Sequence, residues 1–235
     1  MNSGKLFLIP TVLHEDEYAL QALPLYLIDA VKQCDIFFVE NEKTARRFLK
    51  KIWKEIIIDN YEWYTIHKAE EEQKSTFANA LKSGKNVGII SEAGCPGIAD
   101  PGQILVAEAQ KINATVVPLA GPNSIVLALM ASGMNGQQFK FNGYLPIDDR
   151  MRKKAIKELE TESEKKNCTQ IFIETPYRNN ALLKDILACC RNETRLCIAI
   201  DITASTEKIQ TKTIKEWKNI ATDLHKKPAI FLLQY

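Results

Sequence analysis

Along the first half of the chain, short apolar runs alternate with longer stretches whose apolar residues recur every three to four positions. Residues 5–9 are Lys-Leu-Phe-Leu-Ile, a run closed by Pro10, and predict a first strand. A polar, acidic loop follows over residues 11–18. After Pro24, the spacing of Leu27, Ile28 and Val31 predicts a helix ending near Gln33, and Ile-Phe-Phe-Val at 36–39 predicts a second strand. Over residues 42–54, Ala45, Phe48, Leu49 and Ile52 line one helical face, while Arg46, Arg47, Lys50, Lys51 and Lys54 fill the others. The run Ile56, Ile57, Ile58 predicts a third strand, and residues 70–83 predict a helix stopped by Gly84. A strand at 87–90, a helix reaching about Ile112 and a strand at 115–117 complete the series. Strands alternating with helices argue a mainly parallel sheet covered on both faces.

The rhythm changes beyond residue 118. A helix over 125–132 ends at Gly133, and residues 139–144 alternate like a half-exposed strand. A very polar helix is expected over 150–165 and another over 180–190, with strands at 170–174, 195–200, 207–213 and 229–234. This half predicts a mixed sheet. The fold expected is therefore α/β with two α/β domains, residues 1–118 and 119–235.

Between the strand at 87–90 and the helix after it lies a stretch with three glycines and two prolines, Gly94, Pro96, Gly97, Pro101 and Gly102. Glycine permits positive φ and close approach of a ligand to the backbone, and proline stiffens the same path. The pattern predicts a rigid backbone cup at the carboxyl edge of the sheet, where ligands bind in open α/β folds. An ordinary strand-to-helix turn is the plain alternative, but the stretch is longer than such a turn needs. Asp100 before Pro101 has the form of a helix N-cap followed by a first-turn proline. Neither a P-loop nor a G-x-G-x-x-G pattern is present, so a nucleoside triphosphate or a Rossmann-type dinucleotide is not expected here. A second glycine–proline loop, residues 118–124, opens the next helix.

Composition narrows the class without choosing a substrate. The chain has 235 residues, 46% hydrophobic and 26% charged, with a net charge of +2 that declares no polyanionic partner by itself. Its six cysteines form no C-x-x-C pair and are expected to be reduced thiols of a cytoplasmic protein. His14, His67 and His225 lack ligand spacing, so no metal site is expected. The start leads straight into a strand with no signal-peptide pattern, and no apolar run approaches the roughly 18 residues of a membrane helix.

The run Ser91-Glu92-Ala93-Gly94-Cys95-Pro96-Gly97-Ile98-Ala99-Asp100-Pro101-Gly102 resembles the S-D-A-G-T-P-x-I-x-D-P-G signature of the tetrapyrrole methylase family. Within that family the branch it resembles most is the bacterial small-subunit ribosomal RNA ribose-2′-O-methyltransferases. Agreement in order and spacing extends to Leu8-Ile9-Pro10-Thr11, Glu40-Asn41-Glu42-Lys43-Thr44, Pro118-Leu119-Ala120-Gly121-Pro122-Asn123-Ser124, Phe141-Asn142-Gly143-Tyr144-Leu145-Pro146 and Glu174-Thr175-Pro176-Tyr177-Arg178. Glu92 stands where the motif has aspartate and Cys95 where it has threonine. The chain resembles a short form that stops after the last core strand.

The resemblance implies two α/β domains with S-adenosylmethionine in the cleft between them, a homodimer, and the small ribosomal subunit or its RNA as partner. Carried over by motif, the cofactor would touch Pro10, Gly94, Cys95, Pro96, Gly97, Ile98, Ser124 and Ile125, and by analogy the strand ends near Thr175, Ala199 and Ala229. Glu92 is a candidate for orienting the cofactor's amine or the substrate, against the plain reading of a loop carboxylate satisfied by backbone amides. No general base is identified. Arg46, Arg47, Lys50, Lys51 and Lys54, with Arg150, Arg152, Lys153 and Lys154, are candidates for phosphate contact, against the plain reading of solvated helix faces. Two other functions stay open: methylation of a small molecule such as a tetrapyrrole, and non-catalytic binding of the cofactor.

Overall fold

The computed structural model describes residues 3–66 and 69–235, and these form two compact units, 1–123 and 124–235. His67 lies outside the described residues. The first unit runs β1 (Lys5–Ile9), α1 (Leu27–Val31), β2 (Ile36–Val39), α2 (Glu42–Ile52), β3 (Glu62–Thr65), α3 (Glu70–Lys82), β4 (Val87–Ile90), α4 (Gln103–Lys111) and β5 (Thr115–Pro118). Its sheet has the order β3-β2-β4-β1-β5, and every ladder is parallel.

Period-two alternation decides which strand residues meet which helices. Phe7, Ile9, Phe37, Val39 and Ile90 pack with α1 and α2, whereas Leu6, Ile36, Phe38, Val87 and Ile89 pack with α3 and α4. The expected sheet with helices on both faces is thus present. β1 and β4 are neighbours in register from Leu6 opposite Val87 to Ile9 opposite Ile90. The chain leaves β1 toward one face and β4 toward the other. Their carboxyl ends therefore bound the kind of crevice in which open α/β sheets place ligands.

One strand is not where the sequence puts it. Ile56, Ile57 and Ile58 form no strand: Ile57 is 61% exposed, and Ile58 begins a 3-10 turn, Ile58–Asn60. The edge strand is instead Glu62–Thr65. Its Trp63 stacks on Phe37 at 4.9 Å and its Tyr64 on Phe38 at 5.0 Å, one ring on each face of the sheet. The stacking of these two rings on the neighbouring strand overrides the strand propensity of the isoleucine run. Residues 11–18, expected as loop, run into a short 3-10 helix, Glu17–Ala22.

The second unit contains α5 (Ser124–Ser132), β6 (Phe139–Tyr144), α6 (Asp149–Lys166), β7 (Thr169–Ile173), α7 (Asn179–Cys189), β8 (Arg195–Ile200), β9 (Lys208–Thr213), α8 (Ile214–Trp217) and β10 (Ala229–Gln234). Its sheet order is β6-β7-β10-β8-β9, with β6 parallel to β7 and the other ladders antiparallel, the mixed sheet expected. Phe172 and Phe231 stack at 5.9 Å in its core.

Candidate functional site

The loop over residues 91–102 leaves β4 and is folded by its own backbone. Gly94 (φ 73°), Gly97 (φ 78°) and Gly102 (φ 125°) take conformations that L side chains rarely adopt. Gly97 N–H donates to Pro101 O at 3.1 Å, and Ile98 N–H to Cys95 O at 3.2 Å, closing the turn. The loop is tied to the end of β1, where Thr11 N–H donates to Gly94 O at 2.8 Å. It also leans on the loop after β5: Cys95 Sγ lies 3.5 Å from Pro122 O. Gly121 packs so closely that a Cβ there would fall 2.1 Å from Pro10 Cβ. Ala120 N–H in turn donates to Tyr26 Oη at 3.0 Å.

These contacts sort the expected site residues. Pro10, Glu92, Gly94, Cys95, Pro96, Gly97 and Ile98 are gathered in the first unit at the ends of β1 and β4. Pro10, Gly94 and Pro96 are buried in the packing of the loops, Cys95 and Gly97 are half-buried, and Ile98 is 50% exposed. At Gly97 the nearest atom to an added Cβ is Gln103 N at 3.9 Å, so the main chain is open to approach there. Ser124 and Ile125 begin α5 in the second unit. In that unit the ladders set Ala199 opposite Ile230 and Ile230 opposite Ile173, so Ala199, Ala229 and Thr175 lie at one end of the sheet.

Asp100 does not cap α4. The N-cap is Gly102, which has no side chain to offer, and the helix amides are satisfied from elsewhere. Glu70, the first residue of α3, reaches across with Oε1 and accepts from Gly102 N–H (3.1 Å), Ile104 N–H (2.7 Å) and Leu105 N–H (3.1 Å). A carboxylate at a helix N-terminus also meets the positive end of the helix dipole. Glu70 stands in a run of three glutamates, and nothing in its local sequence distinguishes it; only the approach of α3 to α4 does.

Freed from capping, Asp100 belongs to a group of carboxylates. Glu92 N–H donates to Glu40 Oε2 at 3.0 Å, and Thr44 Oγ1 donates to Glu92 Oε1 at 3.3 Å. Burial, then the charges of Glu40 and Glu92, push the Asp100 carboxyl up from 3.8 to about 6. Burial and the charge of Asp100 also raise the Cys95 thiol, which argues against a nucleophilic role for it.

The two basic clusters separate into engaged and free charges. Arg46 pairs with Glu42 at 2.6 Å and lies 5.1 Å from the Trp63 ring, and Lys50 Nζ donates to Ile56 O. On α6, Arg152 is buried against Asp185, Lys153 pairs with Asp149 at 2.8 Å, and Lys154 lies 3.8 Å from Glu158. Arg47 and Lys51 instead border a pocket of about 410 Å³ reaching from α2 to Ser91 and Glu92. Among the described residues no cluster of His, Cys, Asp or Glu suits a metal ion.

Comparison with known proteins places this geometry in a family. Over 236 residues the chain is 29% identical to ribosomal RNA small subunit methyltransferase I of Buchnera aphidicola, covering 98% of this chain and 78% of that one. It is 31% identical over 219 residues to the Bacillus subtilis protein of the same name, covering 92% and 70%. The match to the Vibrio cholerae protein of that name is 34% over 154 residues, 65% of this chain and about half (52%) of the relative's length. Among solved structures, uroporphyrin-III-C-methyltransferase from Thermus thermophilus shares the fold with a TM-score of 0.57 at 14% identity, over 98% of this chain and 92% of that one. The methyltransferase CobJ does so with a TM-score of 0.63 at 12% identity, over 100% and 94%. The family model described as tetrapyrrole (corrin/porphyrin) methylases matches residues 19–218, and the chain belongs to that family.

Proposed function

We propose that this member of a methyltransferase family transfers the methyl group of S-adenosylmethionine to a ribose 2′-hydroxyl of small-subunit ribosomal RNA. The observation that carries the reading is the open main chain at Gly97, in a loop braced by Glu70 on one side and Thr11 on the other. Relatives named for small-subunit ribosomal RNA, matching most of the chain, support the substrate. The residues fit the cofactor: its adenosine and amino acid ends call for backbone amides at close range, and the positive φ of Gly97 leaves such a surface with no side chain over it. Gly94, Cys95, Pro96, Gly97 and Ile98 would hold it, with Ile98 offering an exposed apolar side chain to adenine.

When bound, the sulfonium supplies an electrophilic methyl group for in-line attack by the acceptor oxygen. Holding reactants at near-attack distance supplies about 7–11 kcal/mol of such a barrier, which suits a site made of rigid backbone. The acceptor hydroxyl must also lose its proton. Asp100, with its carboxyl at about 6, is the group we assign to receive it, since a carboxyl titrating near the working pH accepts a proton best.

The test supplies methyl-labelled cofactor and small subunits from cells lacking the gene. Label at a ribose 2′-oxygen is expected; label only in the small-molecule fraction sinks the RNA reading. Titration with S-adenosylhomocysteine should give at least tenfold weaker binding for Gly97→Val, and an unchanged Kd would remove this loop from the site. A homodimer in the cytoplasm, with the small subunit as partner, is part of the proposal. β6 supports the dimer as an edge strand with Phe139 and Tyr144 exposed, and a monomer by light scattering would reject it. Among the described residues no helix is long and apolar enough to cross a membrane.

A further inference from the structure

The pocket bordered by α2 has features that the cofactor loop does not use. On the outer face of α2, Arg47 and Lys51 stand one turn apart, and both line the pocket. The residue one turn before Arg47 is Lys43, not an acid. Like charges at this spacing repel in an isolated helix. Arg46 is paired with Glu42 and lies against Trp63, and Lys50 is held by two main-chain oxygens, those of Lys54 and Ile56, whereas no carboxylate among the described residues pairs with Arg47 or Lys51. Lys51 Nζ donates to the main-chain oxygen of Glu15 at 3.2 Å, a contact that brings it no opposite charge.

The rest of the pocket has a different chemistry. Phe48 and Val12 supply apolar lining, Thr44 and Ser91 offer hydroxyls, and Glu15 and Glu92 are the carboxylates of the lining. Ser91 and Glu92 also belong to the glycine–proline loop, so the pocket adjoins that loop. Its volume of about 410 Å³ lies in the range of about 300–1,000 Å³ usual for small-ligand sites. Two cations without carboxylate partners, an apolar lining and a carboxylate on the glycine–proline loop are the groups one nucleotide unit calls for: phosphate, base and ribose hydroxyl.

We infer that this pocket is the acceptor subsite, receiving one nucleotide of a single-stranded RNA with its phosphate on Arg47 and Lys51 and its ribose toward Glu92. The inference rests on the RNA reading above and adds the residues that seat the acceptor. It assigns opposite fates to neighbours in one basic stripe: Arg47 and Lys51 bind, while Arg46 and Lys50 hold the fold.

The test compares the wild type, Arg47→Glu/Lys51→Glu, and Lys157→Glu/Lys165→Glu, which makes the same charge change on the exposed face of α6. Each is titrated with isolated small-subunit ribosomal RNA over a range of salt, and separately with S-adenosylhomocysteine. The α2 variant should bind RNA at least tenfold more weakly, with a log–log salt slope shallower by about 1–2. Its S-adenosylhomocysteine Kd and its melting temperature should stay at the wild-type values, and the α6 variant should keep wild-type RNA affinity. An α2 variant that binds RNA as the wild type does, while the wild type methylates it, overturns the pocket and leaves the RNA reading standing. Equal losses in both variants also overturn it, since the effect would then be overall charge. A wild type that neither binds nor methylates small-subunit RNA overturns both.

Discussion

Replacing Glu70 should damage a loop it does not belong to. Its Oε1 accepts from the amides of Gly102, Ile104 and Leu105, the exit of the glycine–proline loop and the first turn of α4. These amides lack partners within their own helix, and Gly102 has no side chain to serve them. Glu70→Ala removes one acceptor from three donors. A lost cap costs about 0.5–2 kcal/mol, and a lost carboxylate at a helix N-terminus about 0.3–1 kcal/mol more. Because Gly102 and the Leu105 side chain are buried, water reaches these amides poorly and the upper part of the range applies, about 2–3 kcal/mol. For a chain of this length that is a fall in Tm of roughly 4–12 °C. Glu70→Gln keeps an acceptor oxygen and loses only the charge, so it should cost about a third as much. Affinity for S-adenosylhomocysteine should drop several-fold in the alanine variant, because the bond from Gly97 N–H to Pro101 O lies just upstream of the uncapped turn. Thermal melts and titrations of both variants make the check. If Glu70→Ala melts within a degree of the wild type, the bridge from α3 to α4 contributes nothing and the reasoning fails.

Two further substitutions follow from the same site. The folded chain holds the Asp100 proton up to about pH 6, above the ordinary 3.8, so this carboxyl lowers stability as pH rises through that window and costs nothing below it. After discounting for its partial exposure the penalty is about 1 kcal/mol, so Asp100→Asn should raise Tm by a few degrees at pH 8, leave it unchanged near pH 3, and abolish methyl transfer; equal Tm at pH 8 would discount the carboxylate repulsion. Gly121→Ala would set a Cβ 2.1 Å from Pro10 Cβ and 2.4 Å from its Cγ, forcing the loop after β5 away from β1. It should cost about 1–3 kcal/mol and weaken S-adenosylhomocysteine binding, and a variant with wild-type melting and affinity would show that the two loops need not touch.

What the sequence revealed and what it hid divide along the range of the forces involved. Strands such as Ile36–Val39 and helices such as Glu42–Ile52 were legible because their apolar periodicity is local. The glycine–proline loop was legible because positive φ and proline stiffness are properties of single residues. The edge strand Glu62–Thr65 was not, since its place depends on Trp63 and Tyr64 meeting Phe37 and Phe38 across the sheet. The role of Glu70 was hidden for the same reason: its partners lie 32 to 35 residues away. Asp100 was misread because Asp-Pro is a frequent helix entry, whereas here Gly102 turns the chain once more before α4 begins.

That division has a consequence for how the two sides of the site are specified. The proposed cofactor side is built of backbone, so its specification lies in residues that shape the main chain: Gly94, Gly97 and Gly102 by their φ, and Gly121 by the space it leaves for Pro10. The acceptor side we infer is built of exposed side chains on α2, where Arg47 and Lys51 can be exchanged for other helix-forming residues without altering the backbone. On this reading, substitutions on one exposed helix face alter the acceptor and leave the fold alone, whereas altering the cofactor site means remaking two loops that pack on each other.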